Sequence, residues 1–67
     1  MSIDISIIIV NWNTRDLLLQ CLSSIQETVG EAITYEVWVV DNASSDRSSA
    51  AVRERFPHTH LIQNRVN

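Results

Sequence analysis

Two stretches of this chain, Ser6-Ile7-Ile8-Ile9-Val10-Asn11-Trp12-Asn13 and Val37-Trp38-Val39-Val40-Asp41-Asn42-Ala43-Ser44-Ser45-Asp46, each pass from an unbroken apolar run into an abrupt polar cluster. Apolar side chains at both odd and even positions mean that neither face of such a strand tolerates water. That is the pattern of a parallel sheet covered on both sides, not of an antiparallel one with a wet face. The polar clusters then fall at the strands' carboxyl ends, where open α/β sheets place their ligands.

The segments between the runs supply helices. After a first strand over Asp4 to Asn11, the triplet Asn13-Thr14-Arg15 provides a cap, with Asp16 in the first turn where a negative charge complements the helix dipole. Leu17, Leu18, Cys21, Leu22 and Ile25 recur at spacings of three and four and predict one apolar stripe, with Leu19 outside it and Cys21 as a small core residue. Gly30, the only glycine, is placed to end that helix. The β-branched and aromatic run Tyr35 to Val40 predicts a central strand. Ser45 or Asp46 then caps a second helix carrying Val52 and Phe56, which Pro57 stops. His60-Leu61-Ile62-Gln63 forms a short third strand, with His58 and His60 at the surface.

The sum is an α/β fold, βαβαβ, half of a Rossmann-like parallel sheet with expected strand order 3-2-1. Right-handed crossovers put both helices on one face of it. In strand one Ile5, Ile7 and Ile9 point opposite to Ile8 and Val10; in strand two Val37 and Val39 oppose Trp38 and Val40. Whichever set the helices cover, the other forms a contiguous apolar patch of a kind that soluble monomers rarely expose. The first strand is also an unprotected edge. Residues 1–67 are therefore expected to be the opening, truncated part of a larger α/β domain.

Composition narrows the function classes. Five arginines, no lysine and eight acids are scattered along the chain for a net charge of −3, which leaves no basic stripe and excludes nucleic acid as the expected partner. A single cysteine cannot form an internal disulfide, and with only two histidines beside it there is no metal-ligand spacing. The amino terminus lacks a basic leader, and the apolar runs fall far short of the ~20 residues of a membrane helix. A reducing, cytoplasmic setting is expected. With one glycine, no Gly-x-Gly-x-x-Gly fingerprint is possible.

Val10-Asn11-Trp12-Asn13 and Val40-Asp41-Asn42-Ala43-Ser44-Ser45-Asp46, in this order and spacing, resemble the amino-terminal segment of family 2 glycosyltransferases, the inverting enzymes of the GT-A fold. There the first strand ends in Pro-Thr-Tyr-Asn or a variant and the next in Val-Asp-Asp-Gly-Ser-Thr-Asp. Here Val10 stands for the proline, Trp12 for the tyrosine, Asn42 for the second aspartate, and Arg47 for a glycine that commonly follows. These versions look like the rhamnosyltransferase branch. The resemblance implies transfer of a sugar from a nucleotide-diphosphate donor, UDP- or dTDP-linked, to a hydroxyl of a glycan or lipid-linked acceptor in cell-surface polysaccharide synthesis. It also implies a divalent cation, Mg or Mn, and a carboxylate base, both supplied later in the chain. The full-length enzyme would work in the cytoplasm, with the inner face of the membrane as the alternative.

On this resemblance the nucleotide-binding residues are Val10, Asn11, Trp12, Asp41 and Asn42, with no catalytic or metal-binding residue in the chain. Trp12 lies just past strand one, so its ring can stack on a nucleobase; the alternative is core packing. Trp38, mid-strand, is a packing residue. Asn42 aligns with the family carboxylate that meets the pyrimidine ring, and its amide can accept from N3–H and donate to a ring carbonyl; otherwise it takes a turn conformation that asparagine tolerates. Asp41 holds either a ribose hydroxyl or a nearby backbone amide. Asn13, Ser45 and Asp46 are read as caps, and Arg15 and Arg47 as solvated charges near the same edge.

Two other classes stand beside the enzyme fragment, which is itself expected to be inactive. One is a stand-alone binding or interaction module that self-associates through the bare sheet face. The other is a receiver-type signalling domain, which wants paired acids where this chain has Asn11 and Asn13.

Overall fold

The computed structural model describes residues 2–29 and 32–66. The elements run β1 (Ile5–Asn11), α1 (Arg15–Val29), β2 (Tyr35–Asn42), α2 (Ser48–Arg55) and β3 (His60–Asn64). The three strands form one parallel sheet with β2 in the centre, the expected order. Helix α1 ends at Val29, and Gly30 lies outside the described residues. Asp4 seals the start of β1 instead of extending it: its N–H donates to the Thr34 carbonyl at 2.9 Å and its Oδ2 accepts the Thr34 N–H at 3.0 Å.

The helices cover the odd-numbered face. Leu18 and Leu22 of α1, Val37 and Val39 of β2 and Val52 of α2 are buried together, and Ile7, Ile9, Ile25, Tyr35, Phe56 and Leu61 pack around them. Because residues of both helices meet the same strand face, both lie on one side of the sheet. The even-numbered face is bare, with Ile8 67% and Val10 65% exposed and Ile62 close to half exposed. On that face Trp38 is half-buried, as a packing residue should be, but it packs outside the core. Its ring stacks on His60 with centroids 4.3 Å apart, and its Nε1 donates to Glu36 Oε2 at 3.1 Å.

The stripe of α1 departs from expectation. Leu17 is 66% exposed and Cys21 is also exposed, so Cys21 is not a core residue, whereas Leu19 is half-buried. At 3.6 residues per turn Leu18 and Leu22 define the buried line, with Leu17 and Cys21 on one flank and Leu19 and Ser23 on the other. The second flank borders Arg55 of α2 and Phe56, the residue that ends it. The neighbouring helix therefore buries Leu19, while the opposite flank extends past the edge of a two-helix layer and has nothing to pack against.

Candidate functional site

The register of the parallel ladder pairs the last residue of β1, Asn11, with Asp41 near the end of β2. Both side chains turn into the fold and are almost fully buried, 2% and 3% exposed. A buried carboxylate and a buried carboxamide must find partners, since each unpaired polar group costs about 1–3 kcal/mol. Here they find each other: Asn11 Nδ2 donates to Asp41 Oδ1 at 2.8 Å. Thr14 Oγ1 donates to Asn11 Oδ1 at 2.6 Å, which ties the amide to the start of α1.

Ser44 joins the two loops. Its hydroxyl donates to Asp41 Oδ1 at 2.6 Å and accepts the Asn13 N–H at 2.9 Å, and its own N–H donates to Asp41 Oδ2 at 3.0 Å. Burial alone would raise the pKa of Asp41. The Ser44 hydroxyl, the Asn11 amide and the Ser44 N–H outweigh burial and hold the carboxyl below its ordinary value. Of the two roles read for Asp41, the backbone amide is the one seen, and that amide belongs to Ser44.

A second set of bonds runs parallel to the first. Asn13 Oδ1 accepts the Ser45 N–H at 2.7 Å, and Asp46 Oδ2 accepts the Arg15 N–H at 2.9 Å. Asp46 Oδ1 takes the Ser48 N–H at 3.0 Å and the Ser48 hydroxyl as well. The N-cap of α2 is Arg47, not Ser45 or Asp46; from one position before it the Asp46 carboxylate satisfies the first N–H of α2 and, across the fold, the first N–H of α1, a bond that no local pattern announces. The Ser48 hydroxyl, then the N–H groups of Arg15 and Ser48, pull its pKa down against a partial opposing effect of burial. Arg15 is exposed, and its guanidinium donates to the Asp46 carbonyl at 3.3 Å and to Asp16 Oδ1 at 3.3 Å.

What the loops leave free is as informative as what they bind. Trp12, carried between two anchored asparagines, is 54% exposed, so core packing does not account for it. Asn42 is half-buried and lies within β2; the left-handed conformation falls on Ala43, at φ 58°, so the turn role read for Asn42 is not the one it performs. Its Oδ1 accepts from Asn64 Nδ2 at 2.7 Å. Val10 directs its side chain to the bare face and pairs in register with Val40. Arg47, exposed and at φ 67°, makes no side-chain cap.

A family model for glycosyl transferase family 2 matches residues 6–67. The chain belongs to glycosyl transferase family 2. Searches of curated proteins and of solved structures gave no match. Family 2 glycosyltransferases take a nucleotide-sugar donor and an acceptor, and the α/β sheet seen here is consistent with part of their Rossmann-like domain. Among the described residues no three His, Cys, Asp or Glu side chains converge, and Asp41 and Asp46 are committed to internal donors, so these residues do not fit the divalent cation that the resemblance implies. No helix among the described residues is long and apolar enough to cross a membrane.

Sequence reasoning passed over two residues of this edge. A serine three positions after an aspartate is a recognisable turn pattern, so Ser44 had a local signal. Asn64 had none, because its partner lies on another strand.

Proposed function

We propose that this chain forms the nucleoside-recognising part of an inverting glycosyltransferase that draws on a UDP- or dTDP-sugar. The donor of this reading is dTDP-rhamnose or a relative, and the acceptor is a hydroxyl of a glycan or lipid-linked intermediate of cell-surface polysaccharide. One observation carries it: bonds from Asn11, Asn13 and Ser44 tie the two strand ends together, leaving the Trp12 indole and the Asn42 carboxamide at one edge and outside the core. In this reading Trp12 stacks on the base and Asn42 pairs with its edge. Asn11 and Asp41 hold the loops through their buried side chains, and Val10 supplies apolar surface beside them. The bare face containing Ile8, Val10 and Ile62 supports a larger domain whose further elements cover it. The cation, Mg or Mn, and the carboxylate base belong to those further elements.

Titration with UDP, dTDP and AMP, followed by NMR at the Trp12 indole and the Asn42 amide, tests the reading. UDP and dTDP are expected to bind more tightly than AMP, with the preference lost in Asn42→Ala. Trp12→Ala is expected to weaken all three by about 1–3 kcal/mol. An equal response to the three nucleotides in the unsubstituted chain would count against base recognition. The bare face also favours a second reading, a non-catalytic module that self-associates. A sedimentation mass that rises with concentration, together with no nucleotide response, would support that one.

A further inference from the structure

Strand β1 is an edge of the sheet, and its ladder shows which backbone groups are left over. Ile5 stands in register with Tyr35 and donates its N–H to the Thr34 carbonyl at 3.2 Å, so the odd-numbered residues of β1 turn their N–H and C=O toward β2. Ser6, Ile8 and Val10 turn theirs away from it, and all three residues are exposed. Sheets protect such an edge with a lysine, a proline, a bulge or an inward-pointing charge. From Ile5 to Asn11 this edge has none of these: the register with β2 runs without a break, and no residue is charged.

The flank of α1 beside this edge has the same character. Leu17, Cys21, Ser24 and Thr28 follow one another at alternating spacings of four and three and therefore share one side of the helix. All four are exposed and none is charged, while Arg15, Asp16 and Glu27 project in other directions. Beneath the flank Ile7 and Ile9 are only half-buried and Ile5 is 45% exposed, although α1 covers their face.

A second copy, turned about a two-fold axis through Ile8, completes edge and flank together. Running antiparallel, β1 sets Ile8 against the partner's Ile8 and Ser6 against the partner's Val10, and these are the residues whose backbone groups are free. Between those bonded pairs Ile7 faces the partner's Ile9 on the side that carries the helices. Helix α1 returns along β1 at about 1.5 Å per residue against about 3.3 Å for the strand, which brings Cys21 about level with Ile8. The two uncharged flanks then meet beside the axis, with Leu17 opposite the partner's Ser24. An unrelated strand would satisfy the backbone groups alone; a second copy also supplies a matching flank. We propose that two copies of this chain join edge to edge through β1 and the Leu17–Thr28 flank of α1. Three strands and two helices from each copy then make one six-stranded sheet with all four helices on one side. The even-numbered face and both carboxyl edges stay open, so this dimer is separate from the nucleotide reading and from association through the bare face.

The test is sedimentation equilibrium of the 67-residue chain over a range of concentrations, with amide exchange and crosslinking beside it. The mass is expected to climb from one chain to two. Amide exchange at Ser6, Ile8 and Val10 should slow as the dimer forms. A short bismaleimide, which adds to thiols, should join two chains through Cys21, the only cysteine. Leu17→Lys and Ser24→Lys place a charge in the covered flank, at exposed positions that the fold does not need, and each is expected to weaken association by about tenfold or more. Ile62→Lys, on the bare face, should leave association unchanged. A chain that stays monomeric at millimolar concentration overturns the proposal. So does association that Ile62→Lys abolishes and both α1 variants leave intact, which would assign it to the bare face.

Discussion

Asp46 Oδ2 accepts the backbone N–H of Arg15 at 2.9 Å across 31 positions of sequence. The other oxygen of the same carboxylate accepts the N–H of Ser48, so a single side chain satisfies the first N–H of both helices. Helix starts leave N–H groups without intrahelical partners, and a carboxylate there satisfies the donors and complements the dipole. Because the two helices follow the two strand ends, this carboxylate also ties the loop after β1, which carries Trp12, to the loop after β2.

Asp46→Ala is expected to destabilise the fold by about 2 kcal/mol, the loss of two helix-start bonds at about 1 kcal/mol each. Asp46→Asn keeps one acceptor and is expected to lose about half as much. Urea unfolding followed by circular dichroism measures both. A change in Asp46→Ala no larger than a surface substitution gives would remove the shared carboxylate from the account.

Asp41 and Asp46 both have folded-state pKa values below the ordinary 3.8. A carboxylate depressed in the folded state contributes stability that is complete above its unfolded value and disappears as pH falls through the folded value. Stability is therefore expected to hold steady near neutrality and to decline as pH drops below about 4. The slope should be shallower in Asp46→Asn. Urea midpoints measured across pH 2 to 7, a range set by the carboxylates' titration, check the sign.

Ala43 and Arg47 adopt left-handed backbone at φ 58° and 67°, where a Cβ costs roughly 1–2 kcal/mol. Glycine removes that cost but enlarges the unfolded ensemble by about 0.4–1 kcal/mol. Ala43→Gly and Arg47→Gly are each expected to stabilise the chain by up to about 1 kcal/mol. Ala43→Val should do the reverse. Asn13, also left-handed at φ 52°, should not improve as glycine, because its side chain holds the Ser45 N–H.

The exposed Cys21 thiol is expected to be labelled by a thiol reagent in the folded protein, with no need of denaturant. Cys21→Ser should change stability by less than about 0.5 kcal/mol, whereas Leu22→Ala, one position along, should cost about 2–5 kcal/mol. Slow labelling that becomes fast only in denaturant would return Cys21 to the core.

The alternation of strands and helices, the central place of β2 and the carboxyl edge as the polar edge were all legible in the sequence. Each follows from features that a short window contains: apolar runs without periodicity, a three-and-four spacing, a proline stop, and clusters of Asn, Asp and Ser. Packing alone decided that the odd-numbered face would be covered, since both faces of β1 and β2 read as apolar. It also decided that Leu19 rather than Leu17 would be half-buried, because α2 borders only one flank of α1. The partners at the edge were decided in the same way: Asn11 with Asp41, Asp46 with Arg15 and Asn42 with Asn64. A hydrogen bond between segments more than twenty positions apart depends on strand register and loop geometry, and no local window encodes either.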